Sequence, residues 1–290
     1  NVTVNLREYE GTGAALALLE QSRPGDWDVL VIDGIDVFRA VEAGILAPLD
    51  PADGLGGSVH VEVVVGHRGD AGLMPENTLV AFARACELGV DAVEFDVLVS
   101  ADGEAVVYHD FHLKPELTRS PDGQWLDSDV SPAIKDMQLA ELKAYDVGRL
   151  KPGSRYARRY PEQQAADGER IPTLREVIRL HKNRCDPASQ LWVEIKTTPE
   201  KPGLTPPPEA VSEKVIFILR SEGVSDRARI LSFDWRSLVQ VQKTAQNLAT
   251  VYLSLECRSL HNIKPGQPGA SPWMAGLDID DFSGSIPQAV

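Results

Sequence analysis

From Val61 onward, short runs of β-branched and aromatic residues alternate with segments of helical spacing. "VEVVVGHRG" reads as a buried strand ending in a loop. "PENTLVAFARACELG" reads as a helix, with Leu79, Phe82, Ala83 and Cys86 on one stripe and Gly89 as its stop. "DAVEFDVLV" and "EAVVYHD" are strands joined by a tight turn at Asp102-Gly103. "IPTLREVIRLHKN" is a helix opened by a capping box of Thr173 and Glu176. "LWVEIK", "ARILSF" and "LATVYLSL" are strands, with helices ending at Gly223 and over "WRSLVQVQKTAQ" between them. Strands that alternate with helices pair in parallel through right-handed crossovers. That leaves a (β/α)8 barrel or a doubly wound sheet. No strand is followed by GxGxxG, the fingerprint of a dinucleotide fold, so the barrel is favoured.

Two stretches stand apart from this rhythm. Residues 113–170 are polar and rich in Pro, Arg and Tyr, with one helix expected near Leu139–Tyr145, and read as an insertion over a site. Residues 1–56 read as strand, helix, strand, helix. "DPADGLGGS" then forms a linker to a second unit over 57–290. Once the insertion is set aside, about 170 residues remain in that unit, whereas a barrel typically needs about 250. The barrel is expected to lack its last one or two βα units. The amino-terminal piece either fills that gap or lies beside an open ring, and the second arrangement is preferred.

Composition narrows the partners. Hydrophobic residues make up 43%, enough for a substantial core. With 43 acidic against 29 basic residues the net charge is -14, which disfavours binding to nucleic acid or to an anionic membrane surface. No apolar run has the length of a membrane span. An anionic substrate would have to be met locally, by a few cations or a metal. Cys86, Cys185 and Cys257 lie far apart without metal-like spacing and read as small buried hydrophobes.

The chemistry lies at the strand ends. Side chains alternate faces along a strand, so Glu94 and Asp96 of "VEFDV" point one way and Val93, Phe95 and Val97 the other. In "LWVEIK", Glu194 and Lys196 likewise share a face with Trp192. His67-Arg68 and His109-Asp110 close their strands, so four successive strands carry polar groups at the end where barrel enzymes keep their sites. Taken alone, Glu94 and Asp96 read as the solvated face of an edge strand. The repeat in a second strand and the two strand-end histidines favour a site. Three facing carboxylates need compensation, and oxygen-only ligation suits Mg2+ or Ca2+. His67 and His109 suit general acid–base work, and Arg68 and Lys196 suit an anionic substrate. The set describes phosphoryl chemistry at a phosphodiester.

"HRGDAGLMPENT", "VEFDV", "VVYHD", "IPTL" and "VEIKT", in this order, closely resemble the glycerophosphodiester phosphodiesterase family over residues 63–290. The resemblance implies a barrel and a divalent-metal-dependent hydrolysis of a small glycerophosphodiester to glycerol 3-phosphate and an alcohol, through a cyclic phosphate. It matches Glu94, Asp96 and Glu194 to metal ligands and His67 and His109 to the acid–base pair. Arg68 and Lys196 match phosphate and substrate contacts, and Glu76 of "PENT" matches a supporting position. From its position, Asp110 is read as orienting His109 or capping the loop. Within residues 1–56, "DWDVLVIDGIDVFRAVEAGILAPLD" is similar instead to the first lobe of extracytoplasmic solute-binding proteins, which favours an extracytoplasmic location. The alternatives are a non-catalytic product keeping only solute- or metal-binding features, and a related phospholipase D-like phosphodiesterase.

Other polar features read as structural. His112 is assigned to a loop, and His60, His181 and His261 to structural or solvated positions. "RYARRY" reads as an exposed insertion or a phosphate-side lid, and "LDIDD" as solvated acids.

Overall fold

The computed structural model describes residues 30–32, 64–255 and 261–290. Seven strands form one sheet: β1 (Leu30–Ile32), β2 (Val64–Gly66), β3 (Ala92–Val99), β4 (Ala105–Val107), β5 (Gln190–Ile195), β6 (Ala228–Ser232) and β7 (Ala249–Tyr252). Their order is β1-β2-β3-β5-β6-β7, parallel throughout, with β4 attached to β3 alone. The helices are α1 (Leu79–Leu88), α2 (Leu139–Leu142), α3 (Arg155–Arg159), α4 (Leu174–Arg184), α5 (Pro208–Ser221), α6 (Trp235–Thr244) and α7 (Ile286–Ala289). This is the parallel α/β sheet of a barrel. Among the described residues it is not closed, because β1 pairs only with β2 and β7 only with β6.

One strand runs against the expected pattern. β3 and β4 form an antiparallel hairpin, with Val97 opposite Val107 and Val99 opposite Ala105. The turn at Asp102-Gly103 forces it: Gly103 takes φ 79, and Ser100 N–H donates to the Glu104 carbonyl. β4 is therefore not a stave of the ring, and β5 lies directly beside β3.

The two faces of the sheet differ as the alternation requires. Val93, Phe95 and Val97 of β3 pack with Leu191, Val193 and Ile195 of β5 against Phe82 of α1 and Val177 and Ile178 of α4. The inner face holds Val65, Ala92, Trp192, Leu231 and Val251. Thr173 and Glu176 form the capping box expected for α4, and Gly89 ends α1 in the left-handed region.

The 113–170 stretch has a core of its own. Leu113, Ile134, Met137, Leu142 and Val147 bury against Leu98, Val106 and Tyr108 of the hairpin. β4 thus serves as the platform for the insertion, and the expected helix is the single turn α2. "LDIDD" is a tight 3-10 turn in which Asp280 accepts from the backbone N–H of Gly266, which makes it a loop clasp.

The cysteine reading is corrected. Cys86 on α1 and Cys185 at the end of α4 are joined by a disulfide, because α1 and α4 pack side by side and bring two distant half-buried positions together. Sequence spacing carries no trace of that neighbourhood. Cys257, His60 and, apart from the backbone of Leu30–Ile32, the solute-binding-like reading of residues 1–56 lie outside the described residues. Leu30–Ile32 does extend the sheet beside β2, without reaching the last strand. No helix of the described residues is long and apolar enough to cross a membrane.

Candidate active site

The site begins with a glycine-framed turn. After β2, Gly66-His67-Arg68-Gly69 folds back, with Gly69 N–H donating to the Gly66 carbonyl at 3.2 Å. A Cβ at Gly69 would stand 2.8 Å from the backbone of Ala81, and one at Gly66 2.5 Å from the Gly69 carbonyl oxygen. Only glycine fits either place. The turn lays against the start of α1 and raises His67 and Arg68 beside the acids of β3. Arg68 itself has φ 52, a left-handed conformation held by its N–H bond to Glu94 Oε2 at 3.0 Å.

"PENT" supplies the next wall. Thr78 caps α1 by accepting from Ala81 N–H, while Asn77 takes φ 56 and its side-chain amide donates to Asp96 Oδ2 at 3.0 Å. Glu76 accepts from Arg68 Nη1 at 2.9 Å. The sequence reading passed over Asn77. Its signal was an Asn immediately before a helix cap, the residue type that tolerates a left-handed turn.

Glu94, Asp96 and Glu194 are brought together as the strand pattern requires. All three are buried, and each offers an oxygen within 4.8 Å of the others. Lys196 lies beside them, with Nζ 2.8 Å from Glu194 Oε1 and 3.5 Å from Asp96 Oδ1. Arg68 Nε stands 3.5 Å from Asp96 Oδ2. His67 Nε2 is 3.8 Å from Glu94 Oε2. His109 reaches the same acids because β4 runs back along β3, and the Tyr108 N–H donates to the Asp96 carbonyl. Asp110 Oδ1 is 3.4 Å from His109 Nδ1, leaving the other ring nitrogen for the site.

The charges sort themselves within this cluster. Burial pushes Glu94 up, Asp96 beside it adds to the shift, and its carboxyl reaches about 8. Burial also works against the Asp96 carboxylate, but His109, Lys196, Arg68 and the Asn77 bond together hold it far below the usual range. Burial depresses the His109 imidazolium, and Arg68 and Lys196 depress it further. Burial opposes the Lys196 charge, yet Glu194 and Asp96 raise its pKa above the ordinary lysine value. One oxygen of Asp96, Oδ1, is buried and accepts no hydrogen bond. A buried carboxylate oxygen that lacks a hydrogen-bond donor and lies among two more carboxylates is a fit place for a hard divalent cation.

The insertion contributes a residue that the sequence reading did not single out. Tyr156 of α3, inside "RYARRY", donates its hydroxyl to Glu76 Oε2, and Arg68 Nη1 lies 3.4 Å from the same hydroxyl. Its ring sits under Lys114 Nζ, 4.3 Å from the centroid. His112 is exposed, and His181 is buried on the face of α4 that carries Leu174, Val177 and Ile178, facing Ser189.

Comparison with known proteins agrees with this geometry. Residues 67–264 match the model of the glycerophosphoryl diester phosphodiesterase family. A glycerophosphodiester phosphodiesterase of Caldanaerobacter subterraneus subsp. tengcongensis is 36% identical over 221 residues, covering 76% of this chain and 74% of that protein. One from Bacillus subtilis is 30% identical, covering 76% and 71%. Among solved structures, a Silicibacter pomeroyi protein bearing the same family name superposes with a TM-score of 0.65 at 36% identity, over 72% of this chain and 70% of its own. An Oleispira antarctica phosphodiesterase, solved with the product sn-glycerol-3-phosphate, gives 0.51 at 25% identity, over 77% and 79%. With two thirds of its length matched and its clustered acids carried on the matched strands, the chain belongs to the glycerophosphoryl diester phosphodiesterase family.

Proposed function

We propose that the chain hydrolyses glycerophosphodiesters to glycerol 3-phosphate and an alcohol, using one divalent ion, Mg2+ or Ca2+, held by Glu94, Asp96 and Glu194. The observation that carries this reading is the meeting of three buried carboxylate oxygens within 4.8 Å, with His67 Nε2 only 3.8 Å from one of those acids. The Oleispira antarctica relative, bound to sn-glycerol-3-phosphate, supports the choice of product. When bound, the ion would stabilise negative charge on the phosphoryl oxygens as a Lewis acid.

The chain's own residues account for the rest. Arg68 and Lys196 meet the phosphate charge. One of His67 and His109 takes the proton from a glycerol hydroxyl as its oxygen bonds to phosphorus. The other gives a proton to the departing alcohol oxygen as its bond to phosphorus breaks. A cyclic phosphate of glycerol remains. The roles then reverse: the histidine left neutral takes a proton from water as the water oxygen bonds to phosphorus, and the protonated one gives its proton to the ring oxygen as that oxygen's bond to phosphorus breaks. Asp110 orients His109 through Nδ1, and Glu76 supports Arg68. No protein nucleophile takes part. We assign this activity to the unit over residues 57–290, with 113–170 as its insertion.

The test is hydrolysis of glycerophosphocholine with added Mg2+ or Ca2+. Turnover should vanish on chelation and in Glu94→Ala. A folded chain with no turnover at any divalent ion rejects the assignment.

A further inference from the structure

We infer that Tyr156 is a positioning residue that holds the Glu76–Arg68 pair in the pose in which Arg68 meets a phosphate. The inference rests on the proposed role of Arg68 and extends it to the insertion. α3 carries Arg155, Arg158 and Arg159 exposed, and Tyr156 is the member of the run that reaches the acid and arginine of the site. The Arg68 guanidinium is held by Glu76 Oε1 and, at 3.4 Å, by the Tyr156 hydroxyl on Nη1, and by Asp96 Oδ2 at 3.5 Å from Nε. Glu76 is buried at 7% exposure, and its second oxygen is occupied by the Tyr156 hydroxyl. That bond draws the second oxygen of Glu76 toward α3, and the hydroxyl competes with the guanidinium for that oxygen. Without it, a buried carboxylate oxygen loses its donor, and the planar fork of Arg68 is the nearest replacement. A bidentate Glu76–Arg68 pair would draw the guanidinium off Asp96 and away from the acid cluster.

The same tyrosine is tied to the opposite side of the site. Lys114 lies over its ring and 3.4 Å from Asp110 Oδ2, and Asp110 faces His109. The insertion therefore touches the arginine side through a hydroxyl and the histidine side through a ring. The hydroxyl is the part assigned to positioning.

The experiment uses the full chain with Tyr156→Phe and Tyr156→Leu. Glycerophosphocholine kinetics with Mg2+ are run beside calorimetric titration with inorganic phosphate. Loss of one hydrogen bond to a charged group should raise both KM and the phosphate Kd of Tyr156→Phe by about tenfold, with kcat within about threefold of wild type. Adding Glu76→Gln to Tyr156→Phe should cost little more than either change alone. Wild-type constants in Tyr156→Phe, with losses only in Tyr156→Leu, would assign the effect to the ring and overturn the inference. So would a fall in kcat alone, or a wild-type chain that binds no phosphate. If the wild-type chain binds phosphate but hydrolyses nothing, the functional reading fails while the phosphate titration still decides on Tyr156. Should Tyr156→Phe not fold, Glu76→Gln alone must reproduce the tenfold change, or the inference falls.

Discussion

Asp96 on β3 and Glu194 on β5 are register partners across a parallel strand pair, and both carboxylates are buried. Glu94 lies two residues back on the same face as Asp96. Three acids so placed repel one another, and the fold tolerates them through Lys196, Arg68 and partial protonation of Glu94. Glu94→Gln mimics that protonated form. Its melting temperature without metal should match wild type to within about 1 kcal/mol of stability. Wild type should gain about 2.7 kcal/mol at an ion concentration a hundredfold above Kd, and Glu94→Gln should gain little. Thermal melts with and without Mg2+ or Ca2+ check both halves. An undiminished metal-induced rise in the variant would remove Glu94 from the ligand set.

Asn77 combines a left-handed backbone with a hydrogen bond to Asp96. The two contributions separate by substitution. Asn77→Gly keeps the backbone conformation and loses the bond, whereas Asn77→Ala loses the bond and adds strain of about 1 kcal/mol. Both should cut turnover of glycerophosphocholine to a similar extent, since both remove the amide donor from Asp96 Oδ2. Urea denaturation should find Asn77→Ala the less stable by about 1 kcal/mol. Equal stability would mean the turn relaxes around alanine.

The period-2 pattern of β3 and β5 was enough to read the acid cluster, because strand geometry fixes which side chains share a face. The same pattern could not say which strands are neighbours. That is why the β3–β4 hairpin passed for two parallel staves even though Asp102-Gly103 was legible as a turn. Running back along β3 still brings His109 to the same acids. Contacts between distant segments were not legible. Tyr156 meets Glu76 across 80 residues, and Cys86 meets Cys185 across 99. Both depend on how the insertion and the outer helices pack, and no local pattern records that packing.

His181 reports on pH rather than on catalysis. It lies 1% exposed on α4, with Nε2 3.2 Å from Ser189 Oγ. Burial, with Arg227 nearby, lowers its pKa from the ordinary 6.5 to about 4. Between those values the unfolded chain binds a proton that the folded chain does not. Stability from this residue is therefore complete above pH 6.5 and falls as the pH drops toward 4, by at most about 3 kcal/mol. The difference in urea midpoint between wild type and His181→Gln, followed from pH 7.5 to pH 4, should shift in the variant's favour by about this amount. A pH-independent difference would show that the ring takes up its proton in the folded state as readily as in the unfolded one.

The Cys86–Cys185 disulfide ties α1, which follows the His67-Arg68 turn, to α4, which precedes β5 and Glu194. It closes a loop of 99 residues that contains the whole insertion. Cross-linking a loop of that size removes much of the unfolded chain's freedom, and native bridges of this kind contribute about 2–5 kcal/mol. Cys86→Ser should lower the urea midpoint accordingly, and reduction of the wild type should bring it to the level of the variant. Reductant should leave Cys86→Ser itself unmoved. The bridge lies behind the sheet, so phosphate binding by the folded variant should stay near wild type, which separates loss of stability from loss of the site. Bridges of this kind persist in oxidising compartments. A wild-type chain whose midpoint ignores reductant would show that the two thiols are close in the fold but unjoined in solution.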